Sequence, residues 1–133
     1  MLMSQDEQIS QFEQQRRDKL RQMQQLDTDP YGERFDDAEP AEAIKQRFDD
    51  EAEGQRARCA GRIVLLRDIG KLIFMTIRDA GGTIQLGLSK KLLGEQWQLA
   101  RLLELGDIIG ASGQLGRTRT GEITIWAEEI KML

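Results

Sequence analysis

Residues 56–133 predict a mainly β (α+β) unit: a barrel of five short strands with one helix between the third and the fourth. Residues 1–55 predict a helical extension and linker ahead of it. Three observations lead there. The apolar period changes from about 3.6 to 2 near Arg56. Turn chemistry then recurs at short intervals, at Asp68-Ile69-Gly70, Ala80-Gly81-Gly82 and Thr118-Arg119-Thr120-Gly121. A single helical pattern, over residues 89–103, interrupts the strands.

The extension opens on a capping box, Ser4 with Glu7 three residues on. Residues 4–26 are rich in Gln, Arg, Asp and Lys, which helices tolerate. Ile9, Phe12, Leu20, Met23 and Leu26 form a thin apolar stripe that Arg16 interrupts. Such a helix of about six turns is marginal alone. It is expected to pack on its own domain, a partner subunit or nucleic acid. The run Asp27-Thr28-Asp29-Pro30-Tyr31-Gly32 ends it, and an extended linker follows to Glu39-Pro40. Pro40 suits the first turn of a second helix, over residues 41–53, with Ile44 and Phe48 as anchors and Gly54 as its stop.

Residues 58–67, rich in Ile, Val and Leu, read as the first strand. Residues 71–79 read as the second and 83–88 as the third. The helix over 89–103 is expected to turn Leu92, Leu93, Trp97, Ala100 and Leu103 or Leu102 inward. Leu105-Gly106 leads into a fourth strand over 107–117, and a fifth covers 122–133. The order β-β-β-α-β-β is that of the OB-fold, a Greek-key barrel. An SH3-like barrel is the alternative, and the position of the helix favours the OB-fold.

The chain has 133 residues, of which 39% are hydrophobic and 32% charged. It has no apolar run of about 18 residues, so no membrane span is expected. The acidic start, Ser4-Gln5-Asp6-Glu7, lacks the character of a secretory signal. One cysteine, Cys59, cannot pair within the chain, which fits a reducing cytoplasm. Zero histidines remove a Ser-His-Asp triad, a Cys-His pair and any His-ligated metal. Asp36-Asp37 and Asp49-Asp50-Glu51 lack the spacing of a calcium loop, and no Gly-Lys-Ser/Thr follows Gly81-Gly82. No catalytic residue, metal or cofactor is therefore expected in this chain, and a binding module is favoured over an enzyme. Charge is uneven: residues 1–55 carry 7 Lys/Arg against 15 Asp/Glu, and residues 56–133 carry 12 against 8. The mildly basic C-terminal part is compatible with nucleic acid, though on charge alone ordinary solvation is the favoured explanation of an imbalance of this size.

Alternation along the strands separates a core face from an outer one. Ile73, Met75 and Ile77 share one face of the second strand, and Phe74 falls on the other with Leu72, Thr76 and Arg78. Gln85 and Gly87 oppose Ile84, Leu86 and Leu88 in the third strand, where Gly87 should leave open space. In the fifth, Glu122, Thr124 and Trp126 oppose Ile123, Ile125 and Ala127. An aromatic ring on the outer face of such a sheet can stack a base. Around it, Arg67 and Gln85 can donate hydrogen bonds and Glu122 can accept one. Together they suit the Watson–Crick edge of an unpaired pyrimidine. The alternative is that Phe74 packs under the N-terminal helix or a loop and that Gln85 is a plain surface residue. Trp126 is expected to be covered by a neighbouring segment, and Trp97 to be core.

Several strings carry a family resemblance. Ala60-Gly61-Arg62-Ile63, Arg67, Gly70-Lys71, Phe74, Asp79, Gly82 and Ile84-Gln85 resemble the anticodon-binding OB domain of class II lysyl-tRNA synthetases. So do Leu105-Gly106-Asp107-Ile108-Ile109-Gly110 and Arg117-Thr118-Arg119-Thr120-Gly121-Glu122. Asp29-Pro30-Tyr31-Gly32-Glu33-Arg34-Phe35 is similar to the family's Pro-Tyr-Pro-x-x-Phe element, with Gly32 in place of the second proline. Gly87 stands where many members carry an aromatic residue.

The resemblance implies that Phe74, Arg67, Gln85 and Glu122 contact the uridines of a lysine anticodon, with Phe74 stacked on the central base. Lys71, Arg78, Arg117 and Arg119 are candidates for contacts to the tRNA backbone. The family's catalytic domain, which uses ATP and Mg and works in a homodimer, would follow the barrel. The chain stops at Leu133, so an excised anticodon-binding domain without that catalytic part is expected. A free-standing single-strand binder and a protein-assembly module are the alternatives.

Overall fold

The computed structural model describes residues 35–133, so the expected helix over residues 4–26 and the turn after it lie outside the described residues. A short helix α1, Ala41–Arg47, precedes the strands β1 (Arg56–Asp68), β2 (Leu72–Arg78) and β3 (Thr83–Ser89). Helical segments α2 (Lys90–Leu93) and α3 (Trp97–Leu102), joined by a 3-10 turn at Gly94–Gln96, lead to β4 (Ile108–Arg117) and β5 (Ile123–Met132). The strands close into a barrel in the order β1-β2-β3-β5-β4. Only β3 and β5 run parallel among these pairs. This is the expected OB-fold, with its helical connection between β3 and β4.

The apolar alternation sends Ile73, Met75, Ile77, Ile84, Leu86, Leu88, Ile125 and Ala127 inside, all at most 2% exposed. Two strand positions defeat simple alternation. In β1 the register slips between Ile63 and Leu65, so Val64 is the extra residue of a bulge. In β4–β5 it slips between Ser112 and Gly113. There Gly113 lies so close to the Trp126 carbonyl that no side chain fits.

The predicted helix over 89–103 is broken in two. Ser89 Oγ accepts from the Leu92 amide at 3.0 Å and starts α2. Gly94, at φ +58°, then stops it. The break resets the helical phase, so Leu92 is exposed while Leu99, not expected inside, is buried with Leu93, Trp97, Ala100 and Leu103. Gln96 pins the connection to β5, donating to the Ile130 carbonyl at 2.8 Å and accepting from its amide at 2.9 Å.

Helix α1 also ends earlier than the sequence suggests, at Arg47 rather than at residue 53. Phe48 turns extended. Asp49 Oδ1 then accepts from the Glu51 amide at 3.0 Å, and such local carboxylate bonds compete with helix. Pro40 sits at the capping position itself, with its carbonyl accepting from the Ile44 amide at 3.1 Å. Its helix is capped from a distance. Asp79 Oδ2 accepts from the Ala41 amide at 2.7 Å, and Oδ1 accepts from Gly81 and Gly82 at 2.9 and 3.0 Å.

Partial burial alone would raise the Asp79 carboxyl. The amides of Ala41, Gly81 and Gly82 and its own outweigh that and hold it below the ordinary carboxylate range. A depressed folded-state pKa adds stability that is present above the unfolded value, about 4, and is lost as pH falls through the folded one. Asp79→Asn should therefore cost about 1 kcal/mol at pH 7. The gap between the two proteins should narrow in urea melts at pH 3. A gap of equal size at both pH values would show that the carboxylate charge is immaterial.

Candidate nucleic-acid interface

The bulge at Val64 decides where Arg67 points. Unbroken alternation from buried Ile63 would carry Leu65 and Arg67 into the core. Instead Leu65 pairs with Thr76 and Arg67 with Phe74, so both join the outer face. Pairing continues across the barrel. Phe74 faces Gly87, Gly87 faces Trp126 and Trp126 faces Gln114. The adjacent row runs Leu65, Thr76, Gln85, Thr124, Gly116.

Of these rows, Leu65, Arg67, Phe74, Thr76, Gln85 and Trp126 line an open cleft of about 870 Å³. Arg67, Phe74, Gln85 and Glu122, the four residues expected from the sequence, all line it. The β4–β5 hairpin, through Arg117, Thr118, Arg119 and Thr120, forms one wall, and Leu65, Leu66 and Leu72 line another part. Phe74 is part-exposed. The Arg67 guanidinium carbon lies 5.6 Å from its ring centre, within cation–π range.

Some polar groups of the cleft are spent within the protein and some are not: the Thr118 and Thr120 hydroxyls bond each other at 3.0 Å. Among the described residues, Arg47, Arg56 and Arg58 reach carboxylates, and Arg62 donates to the Gly106 carbonyl. The side chains of Arg67, Gln85 and Glu122 make no hydrogen bond or ion pair with the described protein. A solvated face that holds an aromatic ring, donors and an acceptor without internal partners is prepared for an external one.

The four candidate backbone contacts divide. Arg117 and Arg119 line the cleft, whereas Lys71 and Arg78 do not. Arg78 sits at the far end of β2, opposite Arg62. Arg117 is engaged already. It forms an ion pair with Asp50, donates to the Gly121 carbonyl at 2.7 Å and lies 5.3 Å from the Phe48 ring centre. The hydrogen bond from Arg117 holds the Asp50 carboxyl below its usual range, and Asp50 raises the guanidinium in turn. Both partners are exposed, so the pair serves mainly to tether the loop after α1 rather than to stabilise the fold.

Two outer-face expectations need correction. Trp126 is not covered by a neighbouring segment: it is part-exposed and lines the cleft beside Phe74, edge to face at 5.9 Å and 69°. Gly87 does not leave empty space. A Cβ there would stand 2.5 Å from Trp126 Cε3, so the glycine makes room for the indole. Thr124 keeps its outer register yet is fully buried, with its hydroxyl donating to the Glu122 carbonyl at 3.0 Å.

Away from the cleft, Phe35 rests on Gly110, and the Arg58 guanidinium stacks 3.7 Å above its ring. Cys59 is buried, and desolvation pushes its thiol up to about 11, which leaves it an inert core residue. Among the described residues, no group of His, Cys, Asp or Glu is placed to hold a metal ion. No described helix is long and apolar enough to cross a membrane.

The closed five-stranded barrel and its aromatic, polar cleft define an OB-fold nucleic-acid-binding module. A tRNA anti-codon family model, described as an OB-fold nucleic acid binding domain, matches residues 57–133, and the chain belongs to that family. Among curated relatives, the lysine–tRNA ligase of Trichormus variabilis is 36% identical over 131 residues, covering 89% of this chain and 23% of that enzyme. The lysine–tRNA ligase of Syntrophomonas wolfei is 37% identical, covering 94% and 25%. That of Methanoculleus marisnigri is 38% identical, covering 87% and 24%. The chain thus spans about a quarter of the length of these relatives. The fold also matches the solved asparaginyl-tRNA synthetase of Pyrococcus horikoshii complexed with asparaginyl-adenylate, with a TM-score of 0.63 and 20% identity over 74% of this chain and 23% of that one.

Proposed function

We propose that the cleft reads the U-rich anticodon of a lysine tRNA, as the anticodon-binding part of a lysine–tRNA ligase. The observation that carries this reading is the set Arg67, Phe74, Gln85 and Glu122 around one cleft, the three polar side chains making no hydrogen bond or ion pair among the described residues. Uracil presents N3–H between two carbonyl oxygens. Glu122 accepts from N3–H, Arg67 and Gln85 donate to the carbonyls, and Phe74 stacks the ring. The homology to lysine–tRNA ligases supports lysine over other anticodons.

In this reading the 133 residues bind and orient tRNA and hold no catalytic site of their own. ATP, Mg and dimer formation belong to the remaining three-quarters of such an enzyme, in the cytoplasm. Arg119, in the cleft wall and without a partner among the described residues, is the cation best placed to meet a phosphate.

The test is a titration of this chain, at fixed salt, with a UUU anticodon stem-loop and with a mixed-sequence single strand of equal length. The stem-loop should bind at least about tenfold more tightly, since an unmatched base leaves polar groups of the cleft unsatisfied. Equal affinity would make the chain a general single-strand binder instead.

A further inference from the structure

The same face holds an aromatic residue that this reading does not use. Trp126 lies across the sheet on two glycines. A Cβ at Gly87 on β3 would stand 2.5 Å from Cε3 and 2.7 Å from Cζ3 of the indole. A Cβ at Gly116 on β4 would stand 3.1 Å from Nε1 and 3.4 Å from Cδ1. The benzo edge therefore covers the Phe74 side of the cleft, and the pyrrole edge reaches the side of the β4–β5 hairpin.

The indole N–H has no hydrogen-bond partner in the described protein. A part-exposed tryptophan with an unused donor, set over bare backbone in a cleft, can offer both a flat face and a directed hydrogen bond. The 69° angle to Phe74 matters here. A base lying flat on Phe74 stands steeply to the indole, so the two rings cannot sandwich one base.

We propose that Trp126 forms a second nucleotide subsite: it packs against the base next to the one on Phe74 and donates its Nε1–H to a carbonyl oxygen of that base. Gly87 and Gly116 are positioning residues for it: a side chain at Gly87 would displace the ring, and one at Gly116 would crowd its pyrrole edge. Thr118 and Arg119 of the hairpin wall the same end of the cleft. The subsite rests on the functional reading above, and its test is built to fail separately.

The experiment measures binding of the 133-residue chain to UUU anticodon stem-loops that carry one abasic site, at the central or at either flanking anticodon position. Trp126→Ala should weaken binding of the intact stem-loop about tenfold, the effect of one lost stack. That penalty should vanish when one flanking base is absent and persist when the central base is absent. Trp126→Phe, which keeps a ring, should retain the fold and still lose about threefold or more from the missing donor. Phe74→Ala should show the opposite pattern, with its penalty tied to the central base. If the Trp126→Ala penalty vanishes with the central base, the indole only props Phe74 and the subsite is wrong. Unchanged binding by both Trp126 variants, with Phe74→Ala impaired, overturns the subsite and leaves the functional reading standing. Wild-type protein that binds no stem-loop overturns both.

Discussion

Phe74→Ala should weaken binding of a lysine anticodon stem-loop about ten- to hundredfold, the value of one base stacked on an aromatic ring, about 1–3 kcal/mol. The loss should be similar whatever the central base, because every base has a face to stack. The ring is part-exposed on the outer face of β2, where it meets Trp126 edge to face. Removing it costs the fold about 1 kcal/mol of aromatic contact, so the barrel should survive. Binding is read by fluorescence anisotropy of a labelled stem-loop and stability by urea melts on the same protein. Unchanged binding with a large loss of stability would show that the ring serves the core and that its face is misassigned.

Leu86→Ala, one residue from Gln85, should do the reverse. Leu86 is 0% exposed and lies between Met75 on β2 and Ile125 on β5, at the centre of the barrel. Truncation removes apolar burial and leaves a cavity, at a cost of about 2–5 kcal/mol. Against a typical stability of about 5–15 kcal/mol, that lowers the urea midpoint sharply with little change in slope. Affinity per folded molecule should stay near that of the parent, since the side chain points away from the cleft. A stable Leu86→Ala protein with lost binding would invert the two faces of β3.

The period of two made most of this legible. Ile73, Met75 and Ile77 alternate with Phe74 and Thr76, and one register fits them, so the faces of β2 follow from sequence alone. The same logic fails for Ile63-Val64-Leu65-Leu66, an apolar run that satisfies either register. Alternation alone does not place Arg67 on the outer face. Its place before the first turn and its donor chemistry, together with the family resemblance, single it out; the physical cause of its placement, the bulge at Val64, is visible only in the strand pairing.

The indole of Trp126 was hidden for a related reason. Its seat is made by glycines on two other strands, Gly87 and Gly116, and no local pattern in β5 refers to them. Gly94 did carry a signal: a glycine inside a helical pattern lowers helix stability, and at φ +58° it ended the helix. The early end of α1 was less accessible. It depends on Asp49 bonding locally and on Arg117, 67 residues away from Asp50, holding the loop that follows.

Edge reading of uracil in the cleft is decided by affinity for stem-loops with U or C at the central anticodon position, at fixed salt, for the parent and for Gln85→Ala. Cytosine replaces the N3–H donor of uracil with an acceptor and one carbonyl with an amino donor, so the donors and acceptor of the cleft meet their own kind. The parent should prefer U by about tenfold or more, the consequence of leaving at least one buried polar group unpaired. Gln85→Ala should lose part of that preference while still binding, because Phe74 stacks either base. Equal affinity of the parent for U and C would contradict edge reading by Arg67, Gln85 and Glu122.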